Sequence, residues 1–487
     1  PEIALASQLV RRVAARFPAQ TVILHSGLSS SERLNAWHAI ANGERRVVVG
    51  LRSALFAPLD DIGLIVLDEE HEPAYKQDSP PRYHAREVAR QLAGLHGATL
   101  ILGSATPDVT TYYEATHGRG TLLTLPRRVG PAIIAADGRR AQPELALPDV
   151  TIVDMRQELQ QGNTHIFSLA LQERLEQTLR AGEQAILFLN RRGSSTLVQC
   201  RGCGYVERCP FCDIPLVYHA DRHRLLCHRC GYRQFPPSTC PACGHDTISY
   251  YGTGTQRVVR EIERCYPEAR VARWDQDVLR GGVSYRQLID RVLRHDVDII
   301  VGTQMVAKGL DFPLVTTTGV VNADTLLYLP DVRAAERTFQ LLTQVAGRAG
   351  RRSAGAQVII QSYTTDHYVI QAAARHDYAA FFREELAYRR YHGYPPFSRL
   401  IRLVYRHRDP VTCEATAGDV ALRLAREAYR LSLTRVDILG PTPAFTAKVR
   451  GHYQWQIIVR GDEAHALIEQ VPLDPGWIID VDPMSLL

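Results

Sequence analysis

The sequence predicts an α/β protein that carries a metal-binding insertion and ends in a smaller α+β domain. Three observations carry this reading. Short apolar runs alternate with helical stretches over the first 125 residues. Eight of the ten cysteines fall between Cys200 and Cys243 as four Cys-x-x-Cys pairs, and the same alternation resumes after them. With 487 residues, 45% hydrophobic and 22% charged, the chain can bury several cores; ~100 to 200 residues per domain implies three or four domains. No stretch approaches the ~20 apolar residues of a membrane span, and Pro1-Glu2-Ile3-Ala4-Leu5 lacks the pattern of a signal peptide, so a soluble, cytoplasmic protein is expected. A net charge of +5 permits nucleic-acid binding without requiring it.

The runs Thr21–Leu24, Arg46–Gly50, Ile62–Leu67 and Thr99–Gly103 are predicted strands of a parallel sheet with both faces covered. In such sheets the chemistry sits at the carboxyl ends of the strands. There, directly after Leu64-Ile65-Val66-Leu67, lies Asp68-Glu69-Glu70-His71. One carboxylate at that place can hold Mg²⁺ through its water shell and a second can orient a water against a γ-phosphate, which makes Asp68 the candidate metal residue and Glu69 the candidate general base. Taken alone, the tetrapeptide is as well read as a solvated acidic loop. The next strand ends in Gly103-Ser104-Ala105-Thr106-Pro107, a small polar turn able to couple nucleotide state to a neighbouring lobe.

The cysteine pairs are Cys200/Cys203, Cys209/Cys212, Cys227/Cys230 and Cys240/Cys243. Two pairs complete the tetrahedral thiolate shell of a structural zinc, with Zn–S near ~2.3 Å, so eight sulfurs suit two Zn²⁺. Gly204, Gly231 and Gly244 each directly follow a pair's second cysteine, where a knuckle folding back over its metal often needs φ > 0. A disulfide framework would need an oxidising compartment, which no secretory signal supports. Spacing does not fix which pairs share a metal; the nested arrangement, first with fourth and second with third, is the expectation. His219, His223, His228 and His245 read as surface residues rather than ligands, and Cys265 and Cys413 as ordinary buried or partly buried thiols.

After the cysteines, Val297–Val301 leads into Gly302-Thr303-Gln304-Met305-Val306-Ala307-Lys308-Gly309-Leu310-Asp311-Phe312. Further on, Gln344-Val345-Ala346-Gly347-Arg348-Ala349-Gly350-Arg351 places two arginines three apart, on one face of a helix. Two guanidinium groups suit a transferring phosphoryl group; standing alone, the segment is an ordinary basic helix end.

The order Asp-Glu-Glu-His, Gly-Ser-Ala-Thr-Pro, Phe188-Leu189-Asn190-Arg191-Arg192-Gly193, four cysteine pairs, Gly-Thr-Gln-Met-Val-Ala-Lys-Gly and Gln-Val-Ala-Gly-Arg-Ala-Gly-Arg closely resembles the PriA helicases of superfamily 2, over nearly the whole chain. Pro1 to Leu5 looks like motif Ia, His25-Ser26-Gly27 like motif Ib, and Leu51 to Phe56 like the segment after it. Tyr75-Lys76-Gln77 through Arg82-Tyr83-His84-Ala85-Arg86 resembles the family's aromatic-rich loop, which links DNA binding to hydrolysis. The resemblance implies two RecA-like motor lobes, the first incomplete, with a two-zinc module inserted in the second. It implies a 3′→5′ DNA helicase that reloads the replication machinery at stalled forks, using ATP with Mg²⁺. Its partners would be forked and single-stranded DNA, single-strand-binding protein and primosome proteins. Asp68, Glu69, Gln344, Arg348 and Arg351 would act in hydrolysis, with Gly309 and Asp311 also at the nucleotide. Arg52, Tyr75, Lys76, Tyr83, Arg191, Arg192, Gln304 and Lys308 would serve DNA.

The family's P-loop, Gly-x-x-x-x-Gly-Lys-Ser/Thr, would cradle phosphates on backbone N–H groups. None of the three lysines, Lys76, Lys308 and Lys448, follows a glycine. The resemblance starts at motif Ia, so a truncated or partial sequence and poor or absent hydrolysis are expected; the rival reading is a non-hydrolysing DNA-binding scaffold of the same lineage.

The expected organisation is an incomplete first lobe over 1–125, a linker over 126–149, a second lobe over 150–199 and 246–362 split by the cysteine module at 200–245, and an α+β domain over 363–487. The last domain is expected to hold strands at Ile401–Tyr405, Val436–Gly440 and Trp455–Val459 and a helix over Thr412–Ser432. Arg450, His452, Tyr453 and Trp455 mix cations with rings that can stack on single-stranded bases, or line an edge strand.

Overall fold

The structure, a computed structural model, describes residues 10, 12–25, 27–129, 133–134, 140–141, 144–189, 196–219, 223–251, 254–275, 278, 285–303, 312–348 and 356–487. The chain divides into two compact units, Pro1–Glu114 and Ala115–Leu487.

In the first unit Thr21–Leu24 pairs in parallel with Val47–Gly50, and Leu64–Asp68 with Thr99–Gly103, in a register that sets Asp68 opposite Gly103. The helix Ala85–His96 presents Ala85, Ala89 and Ala93, four residues apart, to Ile62, Ile65 and Leu67, and stops at Gly97 in the left-handed conformation. Alternation along the strand sends Ile65 and Leu67 to that helix and Leu64 and Val66 to the other face. This corrects the expectation that both faces are covered. Leu64 and Val66 remain 58% and 56% exposed, because among the described residues the helix packs on one face alone.

The second unit is built on a six-stranded sheet in the order Val271–Trp274, Ile299–Gly302, Gln184–Phe188, Val315–Val320, Gln357–Ser362, Asp149–Asp154, every neighbouring pair parallel. Here both faces are covered, as a continuous apolar strand requires. Ala185, Leu187, Ile299 and Val301 pack with Leu171 and Leu175 of the helix Leu169–Arg180 and Val258 and Ile262 of the helix Thr255–Cys265. The intervening Ile186 and Ile300 pack on the opposite side with Leu288 and Val292 of the helix Tyr285–Leu293.

Between Phe188 and Val271 the chain forms a separate five-stranded antiparallel sheet, Arg233–Gln234, Arg224–Leu226, Val217–His219, Thr196–Cys200 and Ile248–Tyr251, which carries the eight clustered cysteines on its turns and ends. The helices Tyr368–Ala374 and Tyr378–His392 lead to a four-stranded antiparallel sheet, Val436–Val449, His452–Gly461, Leu400–His407 and Trp477–Val481. The helix Pro410–Arg430 covers it with Val420 and Leu424; Asp409 caps its first turn by accepting from the Thr412 N–H, and Pro410 sits where a missing N–H costs nothing. The carboxyl-terminal region is thus α+β, as expected.

Candidate functional sites

All four cysteine pairs fold by one local rule. The N–H of each pair's first cysteine donates to the carbonyl five residues on (Cys200 to Tyr205, Cys209 to Ile214, Cys227 to Tyr232, Cys240 to His245), and the N–H four residues on returns to that cysteine's carbonyl. The returning residue is Gly204, Asp213, Gly231 or Gly244, each at positive φ between 51° and 80°. Three are the glycines that the sequence marks; Asp213 fills the fourth place, which no glycine signalled.

The turns gather the sulfurs into two groups, Cys200, Cys203, Cys240 and Cys243, and Cys209, Cys212, Cys227 and Cys230, each with all four Sγ atoms within 4.8 Å of one another. This is the nested arrangement. Cys200–Cys243, Cys203–Cys240 and Cys209–Cys230 stand 3.7, 3.6 and 3.6 Å apart, close to the ~3.8 Å edge of a tetrahedron with Zn–S of ~2.3 Å. Two clusters of four thiols with this spacing fit two zinc ions. Burial pushes the Cys212 thiol up to about 12, with Cys230 beside it adding to the effect. Burial also pushes Cys200 up, but the Thr247 hydroxyl and the N–H groups of Cys203 and Gly202 outweigh it and hold the thiol down at about 6. Zinc uptake must therefore displace protons.

Among the described residues no histidine joins either cluster. His228, read from sequence as a surface residue, is buried. Its Nδ1 lies 3.1 Å from the carbonyl of Pro443 and its Nε2 lies 2.9 Å from Nε2 of His219. The sequence could not reveal this, since Pro443 is 215 residues away.

In the first unit the strand Leu64–Asp68 delivers its carboxylates to different environments. Asp68 is exposed, Glu69 is partly so at φ 50°, and the Asp68 carboxylate accepts from the Glu69 N–H at 3.0 Å. Glu70 turns inward to accept from Arg86 Nη1 at 2.8 Å, the Asp108 N–H at 2.7 Å and the Thr111 hydroxyl at 3.2 Å. His71, also buried, holds Ser104 Oγ at 2.6 Å through Nδ1 and so joins the acidic segment to the Gly103–Pro107 turn. An exposed carboxylate beside a partly exposed one, the latter 3.6 Å from His71 Nδ1, can serve a hydrated divalent cation and a water, and Glu70 and His71 fix the Gly103–Pro107 turn. Sequence reasoning passed over Glu70 and Arg86 because their pairing spans 16 residues.

Residues 390–484 match the family model for the primosomal protein N C-terminal domain, residues 209–234 that for the PriA DNA helicase Cys-rich region (CRR) domain, and residues 1–115 that for the DEAD/DEAH box helicases. The chain is 38% identical over 496 residues to the replication restart protein PriA of Treponema pallidum (strain Nichols), covering 100% of this chain and 72% of that protein. The chain belongs to the PriA family. It is also 45% identical over 460 residues to the PriA of Bacillus subtilis (strain 168), covering 94% of this chain and 55% of that protein. With the PriA of Synechocystis sp. (strain ATCC 27184 / PCC 6803 / Kazusa) the identity is 42% over 504 residues, covering 100% and 58%. The chain thus spans a little over half the length of these two relatives.

In this PriA-family chain the segment around Tyr75 is hydrogen-bonded to the acidic segment. The Tyr75 hydroxyl donates to the Asp68 carbonyl at 2.7 Å, and burial, reinforced by the surrounding carboxylates, raises its pKa. Arg52 Nη1 donates to the carbonyls of Ala74 and Lys76 at 2.6 and 2.9 Å, and Tyr83 meets Phe56 edge to face at 5.2 Å. Tyr75 and Lys76 are buried. Gln344 lies on the helix Ala334–Ala346, and Arg348 just past its end, its N–H donating to the Val345 carbonyl at 3.1 Å. Arg191, Arg192, Gln304, Lys308, Gly309, Asp311 and Arg351 lie outside the described residues. Among the described residues no helix is long and apolar enough to cross a membrane.

Proposed function

We propose that this chain supplies motor lobes, zinc module and carboxyl-terminal domain to a cytoplasmic, ATP-dependent 3′→5′ DNA helicase that restarts stalled replication forks and loads the primosome. Family membership supports this reading, and one observation carries it: at a strand end Asp68 is exposed and Glu69, partly exposed, stands 3.6 Å from Nδ1 of the buried His71, while Glu70 is held inward by Arg86. Asp68 would hold Mg²⁺ of the nucleotide through water, and Glu69 would orient the attacking water. Gln344, Arg348 and Arg351 would meet the phosphates, with Gly309 and Asp311 at the same nucleotide. Arg52, Tyr83, Arg191, Arg192, Gln304 and Lys308 would meet DNA directly, and Lys76, buried, would serve DNA by positioning the loop. Tyr75 would act as a positioning residue, its hydroxyl tying the aromatic-rich loop to the Asp68 backbone. The domain limits 1–125, 126–149, 150–199 with 246–362, 200–245 and 363–487 belong to the same reading, as do single-strand-binding protein and primosome proteins as partners.

The 487 residues contain no Gly-x-x-x-x-Gly-Lys-Ser/Thr. We therefore propose that these residues by themselves bind DNA but hydrolyse ATP poorly. A non-hydrolysing assembly scaffold is the second reading, favoured by that same feature.

The test is the affinity of the zinc-loaded chain for single-stranded DNA across a salt series. Phosphate contacts by arginine and lysine release counterions, so log K should fall linearly with log salt, by ~0.7 per phosphate engaged. Affinity indifferent to salt would contradict the proposal.

A further inference from the structure

We infer that the two metal centres hold two different parts of the protein: the Cys200/Cys203/Cys240/Cys243 centre seats the cysteine module on the six-stranded sheet, and the Cys209/Cys212/Cys227/Cys230 centre seats it on the carboxyl-terminal four-stranded sheet. The inference rests on the two-zinc reading and adds a separate mechanical role for each ion.

The contacts come from residues held between ligands. Between Cys200 and Cys203, Arg201 Nε donates to the Tyr363 hydroxyl at 3.2 Å and its Nη2 to the Thr164 carbonyl at 3.4 Å. Gly204, which closes that knuckle, approaches the Tyr363 carbonyl so nearly that a Cβ would stand 2.3 Å from its oxygen. Tyr363 directly follows the strand Gln357–Ser362 of the six-stranded sheet. Between Cys227 and Cys230, a carbonyl can only accept, so His228 Nδ1 donates to Pro443, and the His228 carbonyl accepts from Gln456 Nε2 at 3.1 Å. The His228 ring meets Phe445 edge-on at 5.4 Å, and Arg229 donates to the Tyr394 hydroxyl at 2.5 Å. Pro443, Phe445 and Gln456 belong to the long hairpin Val436–Val449 and His452–Gly461.

The carboxyl-terminal domain has a second tie. Asp331 accepts from Arg337 at 2.9 Å and from Ser485 at 2.6 Å, which fastens the carboxyl terminus to the motor sheet's helices without using the cysteine module. Between these two ties lies a cavity of about 150 Å³, lined among others by Tyr328, Tyr388, Tyr394, Leu439 and Ile458. On its wall Leu439 and Ile458 pack with Leu400, Leu486 and Val332, a small apolar contact that leaves the polar ties through His228 and Arg229 to set the hairpin edge. A knuckle without its metal loses the turn geometry that aims His228 and Arg229, and the hairpin edge is released while the terminus stays attached.

Hydroxyl-radical footprinting of the full chain, with zinc measured in the same samples, tests this. Tyr394 and Tyr363 are both buried and report the two seats separately. In Cys230→Ser one zinc should remain, with Tyr394 labelling severalfold faster and Tyr363 unchanged; Cys240→Ser should give the reverse. His228→Ala keeps all eight clustered cysteines and should keep both zincs, yet still expose Tyr394. Equal exposure of both tyrosines in each cysteine variant, or a protected Tyr394 in His228→Ala, would overturn the inference. Fewer than two zincs in the wild-type chain would instead remove the two-zinc reading beneath it.

Discussion

Gly204 lies against Tyr363 so closely that a Cβ built on it would fall 2.3 Å from the Tyr363 carbonyl oxygen, whereas a Cβ on Gly244, at nearly the same φ (75° against 80°), would meet nothing within 4 Å. The two substitutions to alanine therefore separate backbone strain from collision. Gly244→Ala should cost the left-handed penalty alone, ~1 to 2 kcal/mol. Gly204→Ala should add an overpacking cost of ~1 to 3 kcal/mol. Urea unfolding of the zinc-loaded chain, followed through the cysteine module, measures both, and equal costs would contradict the geometry.

Arg86 is buried between Glu70 and Asp108, 2.8 and 3.6 Å away. Removing its charge leaves two buried carboxylates without their cation, so Arg86→Met should destabilise the first unit by ~3 to 5 kcal/mol. The exposed pair Arg180–Glu176 provides the contrast, and Arg180→Met should cost under ~0.5 kcal/mol. Amide exchange of Leu64–Asp68 and of the helix Leu169–Arg180 reads the two effects.

His367 accepts from the Val369 N–H at the start of the helix Tyr368–Ala374, and its burial, aided by the positive charge of Arg208, lowers its pKa from 6.5 to about 4. The folded state thus holds it neutral while the unfolded chain takes up a proton below pH 6.5. Its contribution is complete above that pH and is lost as pH falls through 4, a loss of up to ~3 kcal/mol at ~1.4 kcal/mol per unit. Asn can cap the helix without titrating. Between pH 7.5 and 4.5 the wild type should lose more stability than His367→Asn, and parallel curves would count against the buried neutral imidazole.

Cys209 and Cys227 lie in one cluster, so Cys209→Ser and Cys227→Ser should each remove one zinc and leave the other. Metal analysis after gel filtration should read one ion per chain in both variants. Retention of two would defeat the ligand assignment, and loss of both would show that the clusters are not independent.

The cysteine spacing made the metal centres legible because each Cys-x-x-Cys turn is closed by its own backbone, and the glycine after the pair announces the positive φ. Asp213 escaped since a residue other than glycine took the same conformation. The parallel sheets were legible from apolar runs such as Val297–Val301, where the strand Ile299–Gly302 is buried at every position. What sequence could not supply was pairing at a distance. Glu70 with Arg86, Asp68 with Tyr75 and His228 with Pro443 are each made by the fold, and nothing in either partner's local sequence names the other. Exposure of Leu64 and Val66 was likewise illegible, because a strand's own alternation does not tell whether a second layer covers it.

ATP hydrolysis by the zinc-loaded 487-residue chain in the presence of single-stranded DNA, compared with Glu69→Ala, decides whether these residues turn over nucleotide on their own. Both should bind DNA, and the wild-type chain should hydrolyse ATP no faster than the variant, since no Gly-x-x-x-x-Gly-Lys-Ser/Thr segment is present to cradle the phosphates. DNA-stimulated hydrolysis that Glu69→Ala abolishes would contradict this expectation, and would mean that another segment of this chain grips the nucleotide.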